Sequence, residues 1–139
     1  MINASLNEAS LRDFENKIEE KYDDYTGYSH TMGKVKLILK KDSKKVKIRS
    51  KDIWGFIYKE ALFRIDKNYS QPARVMSVGK IIYYENGVAH LEMLRKNQKN
   101  SSFNAGYYCY VSKNINSELV PMPGQLISDA RKKIKRFKK

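Results

Sequence analysis

The side chains that most often carry acid–base or metal chemistry are widely spaced in this chain of 139 residues. It has two histidines, His30 and His90, and one cysteine, Cys109. A zinc site needs three or four ligands that converge on one ion, and neither histidine has a cysteine or carboxylate at ligand spacing. We therefore expect both histidines to be hydrogen-bonded polar residues. Cys109 is expected to be a small packing residue, because free cysteine is commonly buried.

The carboxylates also fail to suggest a reaction centre. General acid–base catalysis requires paired acids in a cleft. The eight acids between residues 26 and 130 fall mostly at predicted turns or strand ends, where solvation explains them: Asp42, Asp52, Glu60, Asp66, Glu85, Glu92, Glu118 and Asp129. The sequence contains no Gly-x-Ser-x-Gly, Walker, dinucleotide-binding or HExxH motif. We predict no catalytic residues, no cofactor and no metal; an enzyme would need His30 or His90 beside an acid in a pocket.

Charge is more informative than catalytic motifs. The formal net charge is +13, yet residues 1–25 carry seven acidic side chains against three basic ones. Seven of the last nine residues are Lys or Arg. This basic tail would attract an acidic partner or an anionic membrane, with Ile134 and Phe137 adding apolar contacts. The alternative for the tail is a disordered, solubilising segment.

The hydrophobic fraction of 41% is a globular value and the length suits one domain. A single domain spanning residues 1–139 is therefore predicted. No stretch reaches the roughly 20 apolar residues of a membrane span, and Met1–Ser10 lacks a signal-peptide pattern, so a soluble chain is expected. The compartment stays open: a leader already removed would favour the cell envelope, and otherwise the cytoplasm is expected.

A helix is predicted at the N-terminus. Ser5 and Glu8 fit a capping box, and apolar residues then follow at helical spacing as far as Tyr22. Residues 1–30 should therefore form a helix and a loop. A second, basic helix is predicted within residues 121–139, after the chain-breaking Pro121 and Pro123.

Between them, residues 31–120 are typical of consecutive strands. The clearest alternation of lysine with apolar residues gives strands at 34–40 and 45–49, and further strands are predicted at 52–58, 62–66, 74–77, 80–84, 88–94 and 103–112. Asn86-Gly87 is the strongest turn signal and predicts a type I′ hairpin. With no helical crossover, the expected fold class is α+β: mainly an antiparallel β-meander or small open barrel of about seven or eight strands between the two helices.

The most distinctive local sequence is Asp52-Ile53-Trp54-Gly55-Phe56-Ile57-Tyr58, followed by Leu62-Phe63-Arg64-Ile65 and later by Gly79–Tyr84. It resembles uncharacterised small β-rich domains of Bacteroidetes-type bacteria, in which WGF-x-Y and then FR precede a hydrophobic strand ending in YY. The likeness covers residues 33–112 and carries no assigned activity. From the residues themselves, Trp54 and Phe56 are predicted to pack inward, with Gly55 allowing a bulge or a close approach by another strand.

Two binding hypotheses remain. The first is a non-enzymatic binding or structural module that contacts a protein partner or an anionic surface through a basic sheet face and tail. The second is a single-stranded nucleic-acid binder that stacks bases on exposed tyrosines and tracks phosphates with lysines. The candidate binding residues are Lys36, Arg74, Lys80, Tyr83, Tyr107, Tyr110, Arg131, Lys132, Lys135 and Arg136.

Overall fold

Extended backbone dominates the computed structural model, which describes residues 2–5, 20–31, 34–66, 71–98 and 109–122. Within these ranges, in chain order, lie β1 (Ile2–Ser5), β2 (Glu20–Tyr22), β3 (Asp24–Thr31), β4 (Lys34–Lys41), β5 (Lys44–Arg49), a 3-10 turn (Ser50–Asp52), β6 (Gly55–Tyr58), β7 (Ala61–Ile65), β8 (Pro72–Val78), β9 (Ile82–Asn86), α1 (Gly87–Arg95), β10 (Cys109–Ser112) and β11 (Val120–Pro121). The chain divides into a first unit, Met1–Pro72, and a second unit, Ala73–Lys139. The single-domain assignment stays a prediction.

The first unit contains two sets of antiparallel strands. One has the order β7–β6–β1–β2, with Ile2 opposite both Tyr58 and Tyr22. The other has the order β3–β4–β5. Two of its three strands, β4 and β5, form the predicted hairpin. In both strands lysine and apolar residues alternate with the two-residue period of a sheet that faces water on one side.

The core of the first unit confirms the role predicted for the Trp-Gly-Phe segment. Trp54 and Phe56 are buried, and the Phe56 ring stacks on Phe63 with centroids 5.0 Å apart. Gly55 lies opposite Arg64, and a Cβ at Gly55 would stand 2.3 Å from the backbone oxygen of Phe63. The glycine is therefore required by the close approach of β7.

The second unit has the strand order β11–β10–β9–β8 and the helix α1. A register shift between Val75 and Ser77 marks a bulge in β8. In the central strand β9, Tyr83 and Tyr84 are both buried, on opposite faces of the sheet. Tyr83 packs with Cys109, and the Tyr84 hydroxyl lies 2.7 Å from Ser112 Oγ.

The predicted N-terminal helix and loop are wrong at both described ends. Residues 2–5 form β1 and residues 20–22 form β2, and the predicted loop at residues 25–30 lies within the strand β3 (residues 24–31). Residues 6–19 lie outside the described residues. The backbone of β1 is paired on both sides, with β2 and with β6, and such pairing outweighs a local capping signal such as that of Ser5.

The hairpin predicted at Asn86-Gly87 is also wrong, because α1 begins there. The Asn86 side chain accepts a hydrogen bond from the Val88 backbone N–H at 3.0 Å, which makes it a helix N-cap. Residues 88–94, predicted as a strand, contain Ala, Leu, Glu and Met, which favour helix. Asparagine is preferred both in a type I′ turn and at a helix N-cap. Here the helix-forming residues that follow Asn86 favour the helix.

The predicted fold class is therefore wrong as a whole. The described strands do not follow one another as a meander, since β1 lies between β2 and β6. Among the described strands of the first unit β2 has a neighbour only on the β1 side, and among those of the second unit β11 has one only on the β10 side, so no closed barrel is formed. Residues 120–121 are the strand β11, and the basic helix predicted after Pro123 lies outside the described residues.

Two hairpin turns hold non-glycine residues in left-handed backbone conformations: Asp42 and Ser43 between β4 and β5, and Lys59 and Glu60 between β6 and β7. This conformation costs about 1 kcal/mol per residue with a side chain and very little for glycine. Glu60→Gly is therefore expected to raise the free energy of unfolding by up to about 1 kcal/mol, measured by urea denaturation. Lys51→Gly, at an exposed site without positive φ, should lower it. A destabilised Glu60→Gly protein would contradict the assignment of strain.

Candidate functional site

The sheet β3–β4–β5 has two chemically different faces. On one face Val35, Leu37 and Leu39 of β4 are buried, and Leu37 and Leu39 lie opposite Ile48 and Val46 of β5. Successive side chains of a strand point to opposite faces, so the lysines between these apolar residues point away from the core. The same two-residue period therefore builds the core and exposes the charges.

The other face, here called the cationic face, carries five basic side chains: Lys36, Lys40, Lys45, Lys47 and Arg49. In the register of the hairpin Lys36 lies opposite Arg49, Lys40 opposite Lys45, and Ile38 opposite Lys47. Lys40, Lys45, Lys47 and Arg49 are exposed, and Lys36 and Ile38 are half-buried. The result is a short, positively charged surface with one aliphatic side chain among the cations.

This register places like charges directly across from each other. Such pairs destabilise a sheet by roughly 0.2–1 kcal/mol each, compared with neutral pairs. The repulsion is partly relieved, because Arg49 pairs with Asp52 at 2.9 Å and Asp24 lies opposite Lys40. Lys36, Lys45 and Lys47 form no ion pair with the carboxylates that the structure describes.

The chemistry of the basic groups restricts what they can recognise. Lysine is a compact, hydrated point charge on a flexible stem, whereas arginine presents a rigid fork that binds carboxylate or phosphate through two hydrogen bonds. Four of the five groups are lysines, and the Arg49 Nε atom is already bonded to Asp52. The cationic face therefore suits an extended negative charge distribution better than a single, geometrically defined phosphate.

The ten predicted binding residues fall in different places. Lys36 lies on the cationic face, whereas Lys80 is exposed between β8 and β9 in the second unit. Tyr110 is half-buried opposite Tyr84, and Arg74 bonds His90. Five lie outside the described residues: Tyr107, Arg131, Lys132, Lys135 and Arg136.

The exposed role predicted for Tyr83 is wrong. Its side chain is 1% exposed, because it occupies the central strand of the second unit and packs against Cys109 and Met76. Conversely, Lys40, Lys45, Lys47 and Arg49 were not among the predicted binding residues. The alternation of basic and apolar residues along β5 is the signal that identifies three of them.

A buried polar chain in the second unit links five side chains. Arg74, Glu85 and Cys109 lie directly across from one another on β8, β9 and β10, so they share one face. His90 reaches Glu85 from the first turn of α1, with Nε2 2.9 Å from Oε1. The Tyr83 hydroxyl donates to the other carboxylate oxygen, Oε2, at 2.8 Å and lies 3.4 Å from Cys109 Sγ.

The partners of His90 determine its tautomer. Arg74 Nη1 lies 2.9 Å from His90 Nδ1, and a guanidinium can only donate, so Nδ1 must accept. The proton is then on Nε2 and is donated to Glu85, which leaves a neutral imidazole between a cation and an anion. Both ring nitrogens and both carboxylate oxygens are thus engaged by protein groups. His90 is confirmed as a satisfied polar histidine.

Burial raises the pKa of Tyr83 above its usual value, and the hydrogen bonds to Cys109 and Glu85 raise it further. The hydroxyl therefore stays neutral and continues to donate to Glu85. The burial predicted for Cys109 is confirmed, as it is 3% exposed. The solvated role predicted for the acids is wrong at Glu85 and also at Asp66, which is buried with its carboxylate 3.7 Å from Arg64.

The described residues contain no cluster of three or more His, Cys, Asp or Glu side chains placed to bind a metal. Within the same ranges no helix combines the length and apolarity needed to cross a membrane. Comparison of the chain with protein-family models, curated proteins and solved structures gives no match. The resemblance of residues 33–112 to small β-rich bacterial domains therefore stays a prediction.

Proposed function

We propose that this protein is a non-enzymatic binding module that holds an acidic protein partner through the cationic face. The observation that carries the proposal is the register of β4 and β5, in which basic residues lie opposite basic residues at an exposed surface. A negatively charged partner would remove this repulsion, so part of the binding free energy comes from relief of the like-charge pairs.

Two features favour a polypeptide partner. Ile38 lies among the cations of the cationic face and is half-buried, so an apolar contact accompanies the charges. The nucleic-acid alternative relied on exposed tyrosines that stack bases. Tyr83 is buried, which removes one of the three tyrosines predicted to stack bases. The enzyme hypothesis loses support because the Glu85–His90 pair already uses its hydrogen-bonding atoms within the protein.

The test is retention of the protein on immobilised poly-glutamate at increasing salt. Retention should fall as salt rises, since screening weakens contacts between exposed charges. The triple variant Lys40→Glu, Lys45→Glu, Lys47→Glu reverses the cationic face and should bind at least about tenfold more weakly, which corresponds to about 1.4 kcal/mol. A matched control, Lys51→Glu, Lys96→Glu, Lys113→Glu, has the same net charge and changes exposed lysines elsewhere.

Equal weakening in the two triple variants would show that only net charge matters and would refute the proposal. Two other ligands separate the alternatives. Tighter retention on single-stranded DNA than on poly-glutamate, with loss in Tyr110→Ala, would favour nucleic-acid binding. Retention confined to vesicles containing phosphatidylserine would favour an anionic membrane surface.

A further inference from the structure

The strand β5 forms a border of its sheet. In the described part of the chain it has a neighbouring strand only on the β4 side. The two strands are joined by the two-residue turn at Asp42 and Ser43, with Lys41 opposite Lys44. In such a hairpin the residues that flank the turn form a hydrogen-bonded pair, and bonded and non-bonded pairs then alternate along the ladder.

This alternation determines which backbone groups of β5 face outward. Counting from Lys44, the amides that bond to β4 belong to Lys44, Val46 and Ile48. The amides and carbonyls of Lys45, Lys47 and Arg49 therefore point away from β4, toward the side where another strand would add. Each residue with an outward-facing backbone is thus also a residue whose side chain lies on the cationic face.

The opposite face of the same border is apolar. Val46 and Ile48 are half-buried, whereas their cross-strand neighbours Leu39 and Leu37 are fully buried. The apolar layer therefore reaches β5 without being completely covered there. A strand added next to β5 would continue both layers, with side chains alternating between the cations and the apolar surface.

We propose that β5 binds an extended peptide as an added β-strand, and that the peptide alternates acidic with apolar residues. The inference rests on the proposed function and names its partner and geometry. Acidic side chains would lie across from Lys45, Lys47 and Arg49, and apolar ones across from Val46 and Ile48. A second copy of this chain does not fit, because two β5 strands would oppose lysine to lysine.

Lysines on a border strand also discourage aggregation, and that role alone predicts that no peptide binds. The two explanations are separated with a peptide that alternates Glu and Val and with a second peptide of the same composition in which the Glu residues are clustered. The alternating peptide should bind at least about tenfold more tightly, because only it places acids and apolar groups on opposite faces of a strand.

A pair of charge-matched variants tests strand addition directly. Lys47→Gln and Lys47→Pro each remove one positive charge, but only proline also removes the outward N–H and blocks a neighbouring strand. No hydrogen bond to β4 is lost in Lys47→Pro, because the Lys47 N–H points away from β4. Border strands tolerate proline at such positions. Affinity for the alternating peptide should fall less than about threefold in Lys47→Gln and at least about tenfold in Lys47→Pro.

Hydrogen exchange of the unmodified protein provides a second measurement if Lys47→Pro does not fold. Addition of the alternating peptide should slow exchange of the Lys45, Lys47 and Arg49 amides and leave Val46 and Ile48 nearly unchanged. Equal affinities for Lys47→Gln and Lys47→Pro, equal binding of the two peptides, or no protection of these three amides would overturn strand addition. Salt-dependent retention on poly-glutamate would then still support the proposed function.

Discussion

Gly55→Ala is expected to destabilise the first unit by about 3 kcal/mol. The added Cβ would stand 2.3 Å from the backbone oxygen of Phe63 and 3.3 Å from the Cα of Arg64. Both contacts involve the backbone of β7, which cannot rotate away as a flexible side chain would. Relief of the overlap requires β6 and β7 to separate, which weakens their hydrogen bonds and the stacking of Phe56 on Phe63.

Urea denaturation followed by the fluorescence of Trp54 measures this effect, because the indole lies next to Gly55 in the chain. Gly27→Ala is the matched control: there the added Cβ would meet the Ile38 Cδ1 atom at 3.9 Å, an ordinary contact. Its unfolding midpoint should stay close to that of the unmodified protein. If Gly55→Ala were as stable as Gly27→Ala, the close approach of β7 would not constrain this position.

Glu85→Leu is expected to cost about 3 kcal/mol in the second unit, because it removes the acceptor of two buried donors. The His90 Nε2–H and the Tyr83 O–H would both lose their carboxylate partner at sites that water cannot reach. Leaving buried donors without an acceptor costs more than the hydrogen bonds contributed while they were formed. Thermal or urea unfolding followed by circular dichroism provides the measurement.

A double-mutant cycle with His90→Leu identifies the cause. If the two side chains act as a pair, the double variant should lose clearly less stability than the sum of the single variants. Glu92→Gln provides the surface control, since Glu92 pairs with Arg95 at 2.8 Å on the exposed side of α1 and should change stability by less than about 0.5 kcal/mol. Additive losses at Glu85 and His90 would show that they act independently.

The parts of the fold that the sequence predicted correctly depend on neighbours close in the chain. The hairpin of β4 and β5 was predictable because the alternation of lysine with Val35, Leu37 and Leu39 is itself the pattern of a sheet with one wet face. The inward packing of Trp54 and Phe56 was predictable for a similar reason, since large aromatic residues within an apolar run seldom stay in water.

The errors have two causes: a pairing partner that is distant in the chain, and a local signal that fits two structures. The backbone of Ile2–Ser5 pairs with β6, fifty or more residues away, and no local pattern encodes that pairing. Asn86 is acceptable both in a type I′ turn and as a helix N-cap, so the two-residue signal alone did not discriminate. The residues after Asn86 distinguish the helix from the turn, because several of them are good helix formers.

The same distinction applies to the candidate sites. The cationic face follows from the alternation along β4 and β5, although the opposition of lysine to lysine also needs the register of the hairpin. The buried polar chain was not predictable, because Arg74, Glu85 and Cys109 come from three strands whose relative register is long-range information. The sequence spacing of Glu85 and His90 suggested no contact until the helix α1 was known.

The chain has one tryptophan and one cysteine, and the two belong to different units. Trp54 is 6% exposed in the first unit, and Cys109 is 3% exposed in the second. Indole emission therefore follows loss of structure in one half of the protein, while the rate of thiol alkylation follows opening of the other half. The unmodified protein thus carries two intrinsic reporters, with which the order of opening of the two units can be timed in one experiment.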